Sequence, residues 1–203
     1  MTCTYPDVEK MYCRVKDEAA RLELYHTLQV LPLVRQWHAG QYRKGPGQVP
    51  YLAHPLTMAC HAIALGMAED EILCAILLHD VAEDCGVSPD DMPVCDSVKD
   101  AVRRLTFSVR DGETKAEARK RYYQGIAQSP LAMLVKLLDR CNNVSGMASG
   151  FTPRRMGEYV QETREYVLPL ISLLLEAEPQ WCHALWLIRY QLESLLHTFD
   201  HLL

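Results

Sequence analysis

Cys74-Ala75-Ile76-Leu77-Leu78-His79-Asp80-Val81-Ala82-Glu83-Asp84 opens as an unbroken apolar run and then sets four ionisable side chains into six positions. The run is apolar on every side, which predicts a helix buried along its body and hence a helical fold built around it. That helix is expected to run to Gly86. On it His79 and Glu83 are i,i+4 neighbours, and so are Asp80 and Asp84. Glu83 and Asp84 would then occupy the last turn, where the helix macrodipole disfavours negative charge. A cation or an ordered water network has to compensate. A lone His-Asp pair at a helix end is more often a solvated cap or a satisfied salt bridge. The functional reading therefore depends on ligand-type residues placed on other helices.

Outward from this stretch nearly every segment reads as helix. Asp7 to about Leu31 has helical spacing, with Pro32 marking a kink or the first turn of a new helix that runs to Gly40. Residues 41–50 are rich in glycine and proline and form a loop, without the Gly-Lys-Ser/Thr of a phosphate-binding loop. His54 precedes Pro55, which pushes it out of helical geometry ahead of a helix ending at Gly66. A helix is expected over about Ser97–Leu105, then a β-like fragment at Thr106–Val109 with one short hairpin near 106–114. Lys115–Ala127 is charged and reads as a solvated helix face. Ser129-Pro130 is an N-cap followed by proline at the first helical position, opening a helix over Leu131–Val144. That helix is apolar except for a stripe of Lys136, Asp139, Arg140 and Asn143. Two further helices, over Glu158–Glu176 and from Pro179 to the C-terminus, read as scaffold. The fold class is all-α, and residues 1–203 form a single domain with a motif core at 38–143.

Composition narrows the partners. A chain of 203 residues with a net charge of −5 does not carry the basic surface expected of a nucleic-acid or membrane-surface binder. No apolar run approaches the ~18 residues of a membrane span, and Met1–Lys10 has no apolar signal core. Eight cysteines are scattered without a C-x-x-C pair, which suits reduced thiols and a cytoplasmic location. The oligomeric state is not encoded in any of these features.

The unusual side chains are His54, His79, Asp80 and Asp139, drawn from three separate segments. Two imidazoles and two carboxylates make a mixed N/O donor set suited to Mn²⁺, Fe²⁺ or Zn²⁺, and carboxylate-containing sites lean to Mn²⁺. Such an ion lowers the pKa of water and polarises a phosphoryl oxygen. Glu83 and Asp84 stand one turn beyond, placed to handle protons. If all these residues were structural instead, each would need its own buried partner.

Four strings carry a more specific signal: His38-Ala39-Gly40-Gln41-Tyr42-Arg43-Lys44, Tyr51-Leu52-Ala53-His54-Pro55, Leu77-Leu78-His79-Asp80-Val81-Ala82-Glu83-Asp84, and Lys136-Leu137-Leu138-Asp139-Arg140-Cys141-Asn142-Asn143. In this order they resemble the hydrolase domain of the RelA/SpoT family of HD-domain phosphohydrolases, over roughly His38 to Asn143 and more weakly through Glu162-Thr163. That family removes the 3′-pyrophosphate from guanosine tetra- and pentaphosphate. The resemblance implies that His54, His79, Asp80 and Asp139 hold Mn²⁺ and that Glu83 and Asp84 orient or deprotonate the attacking water. It implies Arg43, Lys44 and Arg140 against phosphate charge and Asn143 in the nucleoside pocket. The expected partner is a small guanine nucleotide, with no nucleic acid and no membrane, and the length matches the small stand-alone hydrolases.

The chain departs from the family's pattern in the pocket. Residues 45–50 form a slightly longer loop, Asn142 stands where the family tends to have histidine or an aromatic residue, and Ser145-Gly146 replaces a basic residue and often threonine. Two other readings use the same residues: hydrolysis of another nucleotide bearing a ribose phosphate, such as the 2′-phosphate of NADPH, or a nucleotide sensor with little turnover. Carboxylates kept at an unfavourable helix end argue for turnover over sensing.

Overall fold

A computed structural model describes residues 7–43 and 47–203 of the chain. Lys44, read above as a phosphate contact, lies outside the described residues. Asp7 caps the first helix, its side chain accepting from the Lys10 backbone N–H, and α1 runs over Val8–Arg21. The chain turns at Glu23, whose φ of 56° is left-handed, and α2 follows over Tyr25–Trp37. The break between the first two helices is thus at Glu23, and Pro32 sits inside α2. Helices α3 (Ala53–Ala64), α4 (Asp70–Leu78) and α5 (Val81–Cys85) come next. His54 is the second residue of α3 and not pre-helical. Pro55 fits beside it because the first turn of a helix needs no backbone donor there.

Every residue from Ile72 to Leu78 is buried, and α4 is packed on by α2, α3, α6 (Asp96–Leu105) and α8 (Pro130–Gly146). The apolar run is therefore the axis of the core, as its all-round hydrophobicity requires. Between α6 and α8, α7 spans Lys115–Ile126 and opens with a capping box in which Thr114 and Glu117 satisfy each other's backbone donors. Ser129 caps α8 through Ala132, with Pro130 at the first position, as read from sequence. A C-terminal arm of α9 (Pro153–Glu162), a π turn at Thr163–Val167, α10 (Leu168–Ala177) and α11 (Cys182–Leu202) closes over α8.

The described residues contain no strand; Tyr42 and Pro50 form an isolated antiparallel bridge. The hairpin expected near 106–114 does not form. Its backbone groups bond to side chains instead: Phe107 N–H donates to Glu83 (3.1 Å), Arg110 N–H to Glu113 (3.0 Å), and Arg121 to the Ser108 carbonyl (2.8 Å). With those groups satisfied, a partner strand has nothing to add. The described cysteines are all free thiols, and burial pushes those of Cys74 and Cys141 up to about 12. Among the described residues no helix is long and apolar enough to cross a membrane.

Candidate active site

The buried helix stops one residue before His79. His79 keeps right-handed geometry, Asp80 flattens to φ −100° and ψ −6°, and α5 starts afresh at Val81 before ending on left-handed Gly86. Glu83 and Asp84 therefore do not sit in the last turn of the buried helix, and its macrodipole does not bear on them as expected from sequence. The break itself sets the site, because it turns His79 and Asp80 toward α3 and α8.

The two imidazoles are held alike. His79 Nδ1 lies 2.8 Å from the Ile76 carbonyl oxygen, and His54 Nδ1 lies 2.6 Å from Asn142 Oδ1. Each Nδ1 thus carries a proton for its acceptor, which leaves both Nε2 atoms pointing at each other, 3.2 Å apart. Around them, Asp80 Oδ2 is 3.0 Å from His79 Nε2 and 3.6 Å from His54 Nε2, and Asp139 Oδ1 is 3.2 Å from His54 Nε2. The ligand atoms of His54, His79 and Asp80 lie within 4.8 Å of one another. Asp139 joins them through its contact with His54.

Such a cluster of acceptors needs positive charge at its centre. Burial alone would depress the His79 imidazole, but Asp80 and Asp139 beside it push it up to about 9. Burial would likewise raise the two carboxyls. His79 and His54 hold Asp80 well below the usual range, and Lys136 with His54 does the same for Asp139. A divalent cation is the stronger solution to the same problem. His54, His79 and Asp80, with each Nδ1 tied back, could hold one, and Asp139 lies beside them.

Asp139 is itself braced. Its Oδ2 takes Lys136 Nζ at 2.9 Å, and its Oδ1 accepts from Asn143 Nδ2. Asn143 Oδ1 in turn accepts from Arg43 Nη2 at 2.9 Å, so two predicted nucleotide contacts form a chain leading to Asp139. Glu83 and Asp84 border the same open cavity of about 440 Å³. Partial burial pushes the Glu83 carboxyl up against the pull of the Phe107 N–H, helped by Asp80 and Asp84.

Arg140 is 1% exposed and already engaged. It donates to Glu162 (2.6 Å), Tyr123 (2.8 Å) and Thr163 (3.3 Å) and stacks over the Tyr159 ring at 4.0 Å. Its charge is matched within the protein, at the wall of the cavity.

That wall contains residues the sequence reading did not single out. Tyr51 donates to Asp80 Oδ2 and stacks on His38 with ring centroids 4.8 Å apart. Burial and the nearby Asp80 push its phenol well above the usual range. Tyr122, Tyr123 and Arg119 come from α7, the helix read as a solvated face, whose inner side closes the cavity. Adjacent tyrosines on an otherwise charged helix are the signal that marks that side.

No family model matches the chain. It is 32% identical over 158 residues to the guanosine-3′,5′-bis(diphosphate) 3′-pyrophosphohydrolase of Mus musculus, which covers 74% of this chain and 84% of that protein. It is 31% identical over 153 residues to the bifunctional (p)ppGpp synthase/hydrolase SpoT of Escherichia coli, covering 72% of this chain and 21% of that one. With the probable GTP pyrophosphokinase of Mycobacterium leprae it shares 27% identity over 181 residues, 87% of this chain and 22% of that one. The chain thus spans only about a fifth of the length of these bacterial relatives. A solved structure described as a metazoan ortholog of SpoT that hydrolyzes ppGpp superimposes with a TM-score of 0.67 at 22% identity, over 86% of this chain and 95% of the other. The all-helical fold is shared.

Proposed function

The chain belongs to the RelA/SpoT family, and we propose that it hydrolyses the 3′-pyrophosphate of guanosine tetra- and pentaphosphate in a reaction that depends on a divalent cation. The observation that carries this reading is the clustering of both Nε2 atoms with the Asp80 carboxylate, the Asp139 carboxylate beside His54, and each Nδ1 committed elsewhere. His54, His79, Asp80 and Asp139 would hold the cation, with Mn²⁺ favoured by the carboxylates and Fe²⁺ or Zn²⁺ as alternatives. When bound, such an ion lowers the pKa of water and draws charge from a phosphoryl oxygen.

The remaining steps fall to the chain's own side chains. Glu83 and Asp84 orient a water and accept its proton as it attacks the 3′-linked phosphorus. The bond from phosphorus to the ribose 3′-oxygen breaks, the 3′-oxygen is protonated, and pyrophosphate leaves with GDP or GTP as the other product. A Glu83 carboxyl raised above its ordinary value is a better proton acceptor than one left there. Arg43, Lys44 and Asn143 meet the nucleotide. Arg140 acts behind them, fixing Glu162 and Tyr123 in the wall.

The test is product analysis by anion-exchange chromatography after incubation with guanosine tetraphosphate and Mn²⁺. An EDTA control, an Asp80→Asn chain and a parallel run on NADPH complete it. GDP and pyrophosphate should appear only with cation and intact Asp80. Phosphate released from NADPH with no alarmone turnover would move the substrate. No turnover of either, with the cation still bound, would sink both substrate assignments and leave another nucleotide or a sensor.

A further inference from the structure

His54 and His79 are locked by different means. His79 Nδ1 faces a main-chain oxygen of its own helix, at Ile76, which no substitution removes. His54 Nδ1 faces a side chain, Asn142 Oδ1, at 2.6 Å across the α3–α8 contact. His54 is 2% exposed, and Asn142 is the acceptor its Nδ1 meets. Asn142 lies one turn beyond Asp139 on α8, and its neighbour Asn143 braces Asp139 itself. One turn of a single helix therefore supplies a ligand-type carboxylate, the amide that steadies it and the amide that faces His54.

An imidazole with an acceptor at Nδ1 carries its proton there and presents a bare Nε2 lone pair. Without that acceptor the proton is free to move to Nε2, into the space shared with His79, Asp80 and Asp139. The ring is also free to turn about its Cβ–Cγ bond. We propose that Asn142 is the positioning residue of the site: through its Oδ1 it fixes the tautomer and plane of His54 and so aims His54 Nε2 at the cation. Asn142, expected from sequence in an altered nucleoside pocket, takes this other task in the structure. The proposal rests on His54 being a cation ligand.

Two variants separate the role from mere packing. Asn142→Leu keeps the size and removes the acceptor; Asn142→Asp keeps the acceptor. In metal-free protein, heteronuclear NMR should show a solvent-protected His54 Nδ1–H proton in the wild type and in Asn142→Asp, and its loss in Asn142→Leu. Calorimetry should find Mn²⁺ binding weakened about 10- to 100-fold in Asn142→Leu, the range seen when the outer partner of a ligating histidine is removed. KM for guanosine tetraphosphate at saturating Mn²⁺ should stay at the wild-type value. An Asn142→Leu chain that keeps both the protected proton and the cation affinity overturns the role of Asn142. A wild type that binds no Mn²⁺ instead sinks the functional reading beneath it, so the two failures are told apart.

Discussion

Glu162 shows how much of the cavity wall hangs on one carboxylate. It takes Arg140 Nη2 at 2.6 Å and the Tyr123 hydroxyl at 2.8 Å, and lies 3.2 Å from Arg119 Nε. Truncation to alanine leaves the buried Arg140 guanidinium without its counter-charge, and breaking a buried pair in this way costs about 3–5 kcal/mol. Glu162→Gln keeps the shape and an acceptor, so its cost should be smaller and tied to pH. Burial would raise the Glu162 carboxyl, but Arg140, Tyr123 and Arg119 bring it below its ordinary 4.5. A group depressed on folding contributes stability above its unfolded value and loses it as pH falls through the folded one. The gap between wild type and Glu162→Gln in urea unfolding should therefore be full at neutral pH and close in acid, below that 4.5. A gap independent of pH would show that the charge on Glu162 contributes nothing.

At the scale of elements the decisive feature is the break at His79–Asp80, which makes α5 a separate five-residue helix carrying Glu83 and Asp84. Gly86 ends it at φ +68° with nothing within 4 Å of an added Cβ, so Gly86→Ala meets only backbone strain, about 1–2 kcal/mol. Because that strain falls on the helix bearing the proton-handling pair, kcat should drop with it. Gly157, inside α9 and equally uncrowded, is the opposite case: Gly157→Ala should stabilise by about 0.5–1 kcal/mol. Thermal unfolding of the two variants should move in opposite directions, and a shared direction would refute the backbone account. The helices themselves were legible because a 3.6-residue apolar period and a cap such as Ser129-Pro130 are written locally. The break was not, since Leu78-His79-Asp80-Val81 contains neither glycine nor proline and its turn is set by contacts from α3 and α8. The failed hairpin has the same cause: Glu83 and Arg121, distant in sequence, claim its backbone.

Across the whole molecule, the residues of ligand type were legible from their chemistry alone, while the wall opposite them was legible only as a family resemblance at Tyr51 and Glu162 and, on α7, not at all. Tyr123 and Glu162 acquire a role only when α7 and the C-terminal arm fold against α8, and Tyr51 only when the loop before α3 meets the α4–α5 break. The cluster of acceptors also joins α3, the α4–α5 break and α8, three parts of the chain that an unfolded molecule cannot bring together. Cation binding should for that reason stabilise the entire fold and not only a loop. A ligand that binds the native state alone at a hundred times its Kd adds about 2.7 kcal/mol. For a chain of this size each kcal/mol raises the melting temperature by about 2–4 °C, so Mn²⁺ should lift it by about 5–10 °C and EDTA should reverse the shift. Asp80→Asn removes one carboxylate from the convergence and should lose most of that lift at the same Mn²⁺ concentration. Equal shifts in both chains would place the ion elsewhere on the surface. No shift in the wild type would mean that protons, and not a metal, hold these acceptors together.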